Sequence, residues 1–133
     1  MNRIWFAIIL AAAALSACTS GDSLPMNHPL TSFVELLGRE GVKGNLEIGD
    51  PINQDMEYVA TYVISAYTST RILSFFKCKD IEKAEFNLQE AMKNPKLSGV
   101  ARNGTLLFAA TFYPPDDQAV SKIRTLFLSH QFN

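Results

Sequence analysis

Twelve consecutive apolar residues, Ile4 to Leu15, follow a single early charge, Arg3, and every acidic residue lies after Cys18. This run divides the 133-residue chain into two unlike pieces. A positive start, an apolar stretch and a small-residue exit, here Ser16-Ala17, are the three parts of a secretory signal peptide. Twelve residues are too few to cross a bilayer core as a helix, which takes about twenty. The run is therefore read as an address at residues 1–17, not as a permanent anchor. Beyond it remain 116 residues with a net charge of −2, enough for one small core without disulfide staples.

Leu15-Ser16-Ala17-Cys18 resembles the lipobox of bacterial lipoproteins. The resemblance covers only the N-terminal region. It implies that the Cys18 thiol receives a diacylglyceryl group, that the chain is cut before Cys18, and that the new amine is acylated, with palmitate or a similar chain. Thr19 follows the cysteine, not Asp. In an enterobacterial-type sorting system that implies the outer membrane, facing the periplasm. In a Gram-positive host it implies the outer face of the cytoplasmic membrane. Ordinary secretory cleavage after Ser16 is the competing reading, since Ala14 and Ser16 are both small, and it leaves Cys18 incidental. Two or more acyl chains anchor a protein stably, at about 0.8 kcal/mol per buried methylene. No second span is needed: the later uncharged stretch Tyr58 to Thr70 carries Tyr, Thr and Ser throughout.

The mature part opens with a polar segment, Thr19 to Pro29, holding Gly and two Pro. Residues 18–29 read as a lipidated, flexible tether and residues 30–133 as one small domain. Pro29 to Leu37 reads as a short helix with Phe33, Val34 and Leu37 on one face and Gly38 as its stop. Ser32-x-x-Glu35 is a capping box that would start it later. Val42 to Asp55, broken by Gly44, Gly49 and Pro51, reads mostly as loop. Met56 to Tyr67 is rich in Val, Ile, Thr and Tyr, which favours a strand. A helix competes there, because Ile52, Met56, Val59, Val63 and Ala66 fall at helical spacing. Thr70 to Cys78 alternates as a strand, with Thr68-Ser69 as the turn before it.

Asp80 caps a helix over Ile81–Lys93 with Ile81, Ala84, Leu88, Ala91 and Met92 as its buried stripe. Asn94-Pro95 ends it. Arg102-Asn103-Gly104-Thr105 carries the Asn-Gly pair of a type I′ hairpin turn, joining strands at Leu97–Arg102 and Thr105–Tyr113. Pro114-Pro115 breaks the second of these. Asp116-Asp117 starts a helix to about His130, with Val120, Ile123 and Phe127 inward. The order α-β-β-α-β-β-α, with the first strand open to a helical reading, predicts an α+β fold. It would be a small, mostly antiparallel sheet with helices packed on one face.

Chemistry is sparse. The near-neutral charge gives no case for nucleic acid as a partner. His28 and His130 form no metal-ligand spacing, and there is no Cys-x-x-Cys, phosphate loop or nucleophile elbow. No cofactor, metal or catalytic residue is therefore expected. Cys78 and His130 can be drawn as a nucleophile and base, but Cys78 reads better as a buried strand residue. Asp116-Asp117 can be drawn as a cation site, yet adjacent acids at a helix start are usually dipole partners. Lys77, Lys79 and Lys83 form a basic edge. Asn103-Gly104-Thr105 matches a glycosylation sequon, but the turn explains it better.

Two apolar features resist a core explanation. Phe86 faces away from Ile81, Leu88 and Met92, and Tyr113-Pro114-Pro115 sits at a strand-to-helix corner. Phe86 and Tyr113 are the candidates for protein contact. The expected protein is a small, non-enzymatic lipoprotein of the bacterial cell envelope, held to the membrane through Cys18 and acting by protein binding. An immunity or exclusion protein with a toxin partner is one version. The alternative is a small-ligand or lipid-binding module, with Tyr58–Thr70 lining a cavity beside Tyr58, Tyr62 or Phe112.

Overall fold

A computed structural model of the chain describes residues 28–65 and 68–132. The export signal at 1–17, the lipid-attachment residue Cys18, most of the 18–29 tether, and Ala66-Tyr67 lie outside the described residues. The residues from Ser32 onward form one compact unit, and His28–Thr31 belong to another. In the latter, the Leu30 N–H donates to His28 Nδ1 at 3.1 Å and the Thr31 N–H to the His28 carbonyl at 3.0 Å.

Among the described residues eight elements follow in order: α1 (Thr31–Arg39), β1 (Gly44–Gly49), β2 (Met56–Ile64), β3 (Thr70–Cys78), α2 (Ile81–Met92), β4 (Ser98–Asn103), β5 (Leu106–Tyr113) and α3 (Asp117–Ser129). The five strands make one antiparallel sheet in the order β1-β2-β3-β5-β4. The class is α+β, as the pattern predicted. Residues 56–64 are strand, so β-branched content outweighs helical spacing there.

Val42–Asp55 is mostly loop, as expected, but it also holds the six-residue strand β1. Gly44 and Gly49 bound a strand instead of breaking one. A Cβ on Gly44 would meet the Val63 carbonyl oxygen at 2.2 Å, so only glycine lets β1 approach β2 there. The end of α1 also differs from expectation. Gly38 lies inside the helix, and the stop falls at Gly41, whose φ is 85°. The Val42 N–H donates to the Leu37 carbonyl at 2.8 Å and the Gly41 N–H to the Gly38 carbonyl at 3.1 Å. This is the paired bonding of a Schellman cap.

Both faces of the sheet are covered in part. Strand partners share a face, and the register aligns Ala60, Phe75 and Phe108 across β2, β3 and β5. Phe33 of α1 and Phe127 of α3 pack on that face, with ring centroids 5.8 Å (Phe33–Phe75) and 5.3 Å (Phe108–Phe127) apart. The expected inward residues Val120, Ile123 and Phe127 are all buried. Burying each large side chain of this kind contributes about 1.5–3 kcal/mol.

The next register level, Val59–Phe76–Leu107, points to the opposite face. There Ala84 of α2 joins Met56, Cys78 and Leu107 in a second, smaller core, with Val59, Phe76 and Leu88 against it. Helices therefore share one face only for α1 and α3, while α2 lies across the other. The run Leu106 to Ala110 is buried at every position because it has helices on both sides.

Candidate functional site: the groove beside helix α2

Helix α2 starts where the sequence placed it. Asp80 is the N-cap, and its carboxylate accepts from the Lys83 N–H at 2.8 Å. The buried stripe is rotated from the expected one. Ala84 and Asn87 are buried and Leu88 and Ala91 half-buried, while Ile81 and Met92 are exposed. The reason is Asn87. Its Nδ2 donates to Asp55 Oδ2 at 2.9 Å and to the Lys83 carbonyl at 2.8 Å, and its Oδ1 accepts from Asn53 Nδ2 at 3.0 Å. Asn53 Oδ1 in turn accepts from the Asp55 N–H at 2.9 Å. A satisfied amide inside the helix-facing stripe fixes the loop before β2 against α2. Sequence reasoning overlooked it, although Asn87 sits three residues after Ala84 and four before Ala91.

Between that loop and α2 lies a groove of about 530 Å³. Met56, Phe76 and Leu107 floor it, and Ile52, Phe86, Ala91 and Leu97 line it beside Asn53, Asn87, Glu90 and Asn94. Phe86 is 61% exposed and Ile52 69% exposed. The groove thus offers an apolar floor, aromatic and aliphatic side chains still in water, and a few amides.

Phe86 and Tyr113 are not brought together. Tyr113 is exposed, as expected, at the far end of β5 from Leu107. Six residue steps along the strand separate it from Leu107 on the groove floor, roughly 20 Å at about 3.4 Å per step. Cys18 lies outside the described residues.

Cys78 is fully buried on the α2 side of the sheet. Burial and the nearby carboxylates of Asp55 and Asp80 push its thiol up, against the pull of Lys77. His130 is on the other side. Its ring packs on Phe33 (5.3 Å) and Phe132 (4.7 Å), and Nε2 lies 2.9 Å from Ser32 Oγ. Burial first, then Arg39, holds its pKa below the ordinary value. The sheet stands between Cys78 and His130, so they cannot act as nucleophile and base.

Asp116 is the N-cap of α3. Its carboxylate accepts from the Ala119 N–H at 3.1 Å and pairs with Arg71 at 2.9 Å. Those bonds hold its carboxyl below the usual range. Arg71 also lies 4.9 Å over the Phe112 ring. Among the described residues no three His, Cys, Asp or Glu side chains gather as a metal site. The basic edge is also divided: Lys77 donates to Thr105 Oγ1, and Lys83 pairs with Asp80 at 3.0 Å.

The hairpin turn is one residue later than expected. Asn103 pairs with Leu106, so Gly104-Thr105 make the loop, with φ of 65° at Gly104. Asn103 Nδ2 donates to the Phe127 and His130 carbonyls, both at 2.8 Å. It caps the end of α3, which ties up the nitrogen a sequon would offer to a glycan. Tyr62 borders a second hollow, a shallow, open one between α1 and the start of β1. Tyr62 itself is buried and donates to the Val42 carbonyl at 2.7 Å. Tyr58 and Phe112 line neither hollow.

No protein-family model, curated protein or solved structure matches this chain.

Proposed function

We propose that this chain is a small, non-enzymatic lipoprotein of the bacterial envelope that binds a protein through the groove beside α2. The carrying observation is Phe86, 61% exposed on the rim of an apolar groove. Aromatic residues, Phe among them, are enriched where proteins contact one another. Tyr113, remote from the groove, is a secondary candidate. The lipobox resemblance at Leu15–Cys18 supports membrane attachment through Cys18, in the outer membrane facing the periplasm. A toxin-neutralising immunity or exclusion role is one form this binding would take.

A photo-crosslinking residue at position 86, in cells, tests the contact. A discrete adduct at position 86, reduced by Ile52→Asp, supports the groove. Adducts at 113 and none at 86 would move the contact to the strand corner. Membrane attachment is tested separately by Cys18→Ala and cell fractionation. A variant that stays membrane-bound and is processed normally removes the lipoprotein reading.

A second reading rests on the volume of the groove, which lies within the range of small-molecule sites. An apolar ligand or acyl chain would then occupy it, not the Tyr58–Thr70 segment. Native mass spectrometry of the protein purified from envelope extract, compared with its Phe86→Asp variant, separates the two. A bound small molecule lost in the variant supports this reading.

A further inference from the structure

We propose that Asn103 is a self-modification site, and that its deamidation unfastens the C-terminal end of α3. The proposal rests on three observations and is independent of the groove. Asn103 is followed by Gly104, which has no side chain to shield its backbone nitrogen and lies exposed in the hairpin turn. The Asn103 carboxamide spends both of its hydrogens on the Phe127 and His130 carbonyls, each at 2.8 Å. Those carbonyls belong to the end of α3, the negative pole of the helix dipole.

The step needs only water and base. Hydroxide removes the Gly104 N–H proton. The nitrogen attacks Asn103 Cγ, a C–N bond forms, and the carboxamide C–N bond breaks. Ammonia leaves with a proton taken from water, and a succinimide ring remains. Water then opens the ring at either carbonyl, giving aspartate or isoaspartate at 103. The ring-opening proton ends on the ammonia, so the net change is one water consumed, one ammonium ion released and one negative charge gained on the protein.

In the intact fold the reaction is gated. Cγ reaches the Gly104 nitrogen only after both bonds to α3 open, so the rate follows local opening of that helix end. The product cannot close the gate again. An aspartate carboxylate has no hydrogen to donate and would face two carbonyl oxygens at the negative end of the dipole. The same helix end carries His130, bonded to Ser32, and is followed by Phe132, packed on Phe33 and Phe127. Deamidation would therefore loosen the tail's hold on α1 as well.

The full chain, purified in detergent, is incubated at mildly alkaline pH and digested for peptide mass mapping. The expected result is conversion at Asn103, with ammonia released, roughly tenfold or more slower in the folded chain than in urea, because the lock must open first. Phe132→Ala, which frees the tail, is expected to accelerate it. Aged wild-type protein separated by its added charge should show faster amide exchange in the last turn of α3 than fresh protein. Asn103→Asp should do the same if it folds, and the aged wild type carries the test if it does not. Equal rates folded and unfolded, or unchanged exchange in the aged form, would overturn the proposal.

Discussion

Asn87 and Asp55, thirty-two residues apart, meet at 2.9 Å and pin the loop before β2 to helix α2. The amide is 8% exposed and uses both ends, so removing it strands its partners. Asn87→Ala is expected to cost about 1–3 kcal/mol, the penalty for leaving buried polar groups unpaired. Urea unfolding by circular dichroism measures it. The wall of the groove depends on the same bond, so binding should weaken along with stability.

Phe86 and Phe127 separate binding from stability. Phe127 is fully buried among Phe33, Phe75 and Phe108. Phe127→Ala is expected to lose about 3–5 kcal/mol. Phe86→Ala should stay within about 0.5 kcal/mol of the parent, as surface changes do. The same denaturation assay reads both. A large loss from Phe86→Ala would make Phe86 a structural residue instead of a contact.

Two glycine-to-alanine changes should have opposite signs. Gly99 has φ of 63°, and a Cβ there would lie 2.5 Å from Val120 Cγ1 of α3. Gly99→Ala is expected to destabilise by about 1–3 kcal/mol through strain and overpacking. Gly38 lies in α1 with nothing within 4 Å of an added Cβ. Gly38→Ala should stabilise by roughly 0.5–1 kcal/mol, because helical glycine carries an entropic penalty. Thermal melts of the two variants give the comparison.

The ends of the pH range should act through different groups. The Ala119 N–H, and then Arg71, hold Asp116 below its usual range. Its contribution is therefore present above the ordinary aspartate value and lost as pH falls through the lowered one. Asp116→Asn should flatten the acid limb of a stability–pH curve. Burial, and then the charge of Glu57, push the Tyr58 phenol up to about 12. The folded state then holds that proton longer than the unfolded chain, so stability falls as pH rises from 10.0 toward about 12. Ultraviolet titration should show a tyrosine ionising near the upper value, and Tyr58→Phe should remove it.

Where a local rule governed the outcome, the sequence was readable. Asp80 and Asp116 cap helices because a short acid can accept from an N–H three residues on. The Asn103-Gly104 turn was visible for a similar reason, although the register moved it by one residue. Strand β1 was not readable, since two glycines and a nearby proline look like breaks until the close approach to β2 is known. The α2 stripe differs from the expected one because that stripe was drawn from apolar residues alone, which leaves out the buried Asn87. The position of α2 was in principle legible in Leu106–Ala110, whose unbroken apolar run signals a strand covered on both faces. In the candidate site, Phe86 could be singled out as the side chain off the stripe. The groove beside it could not, because it depends on contacts between the loop before β2 and α2.

The two edges of the sheet are not equivalent. Strand β4 is gripped on both faces, with Arg102 reaching Glu85 of α2 and Asn103 reaching α3. Its pairing with β5 is also interrupted at Gly99. Such an irregular, flanked strand is a poor template for another chain. Strand β1 is regular along its length and mostly exposed. A sheet with one receptive edge can join a second copy edge to edge, and growth then stops, because neither copy offers another flat edge. Among the described residues, the lopsided arrangement of helices leaves one regular edge, a geometry that favours pairs over fibres.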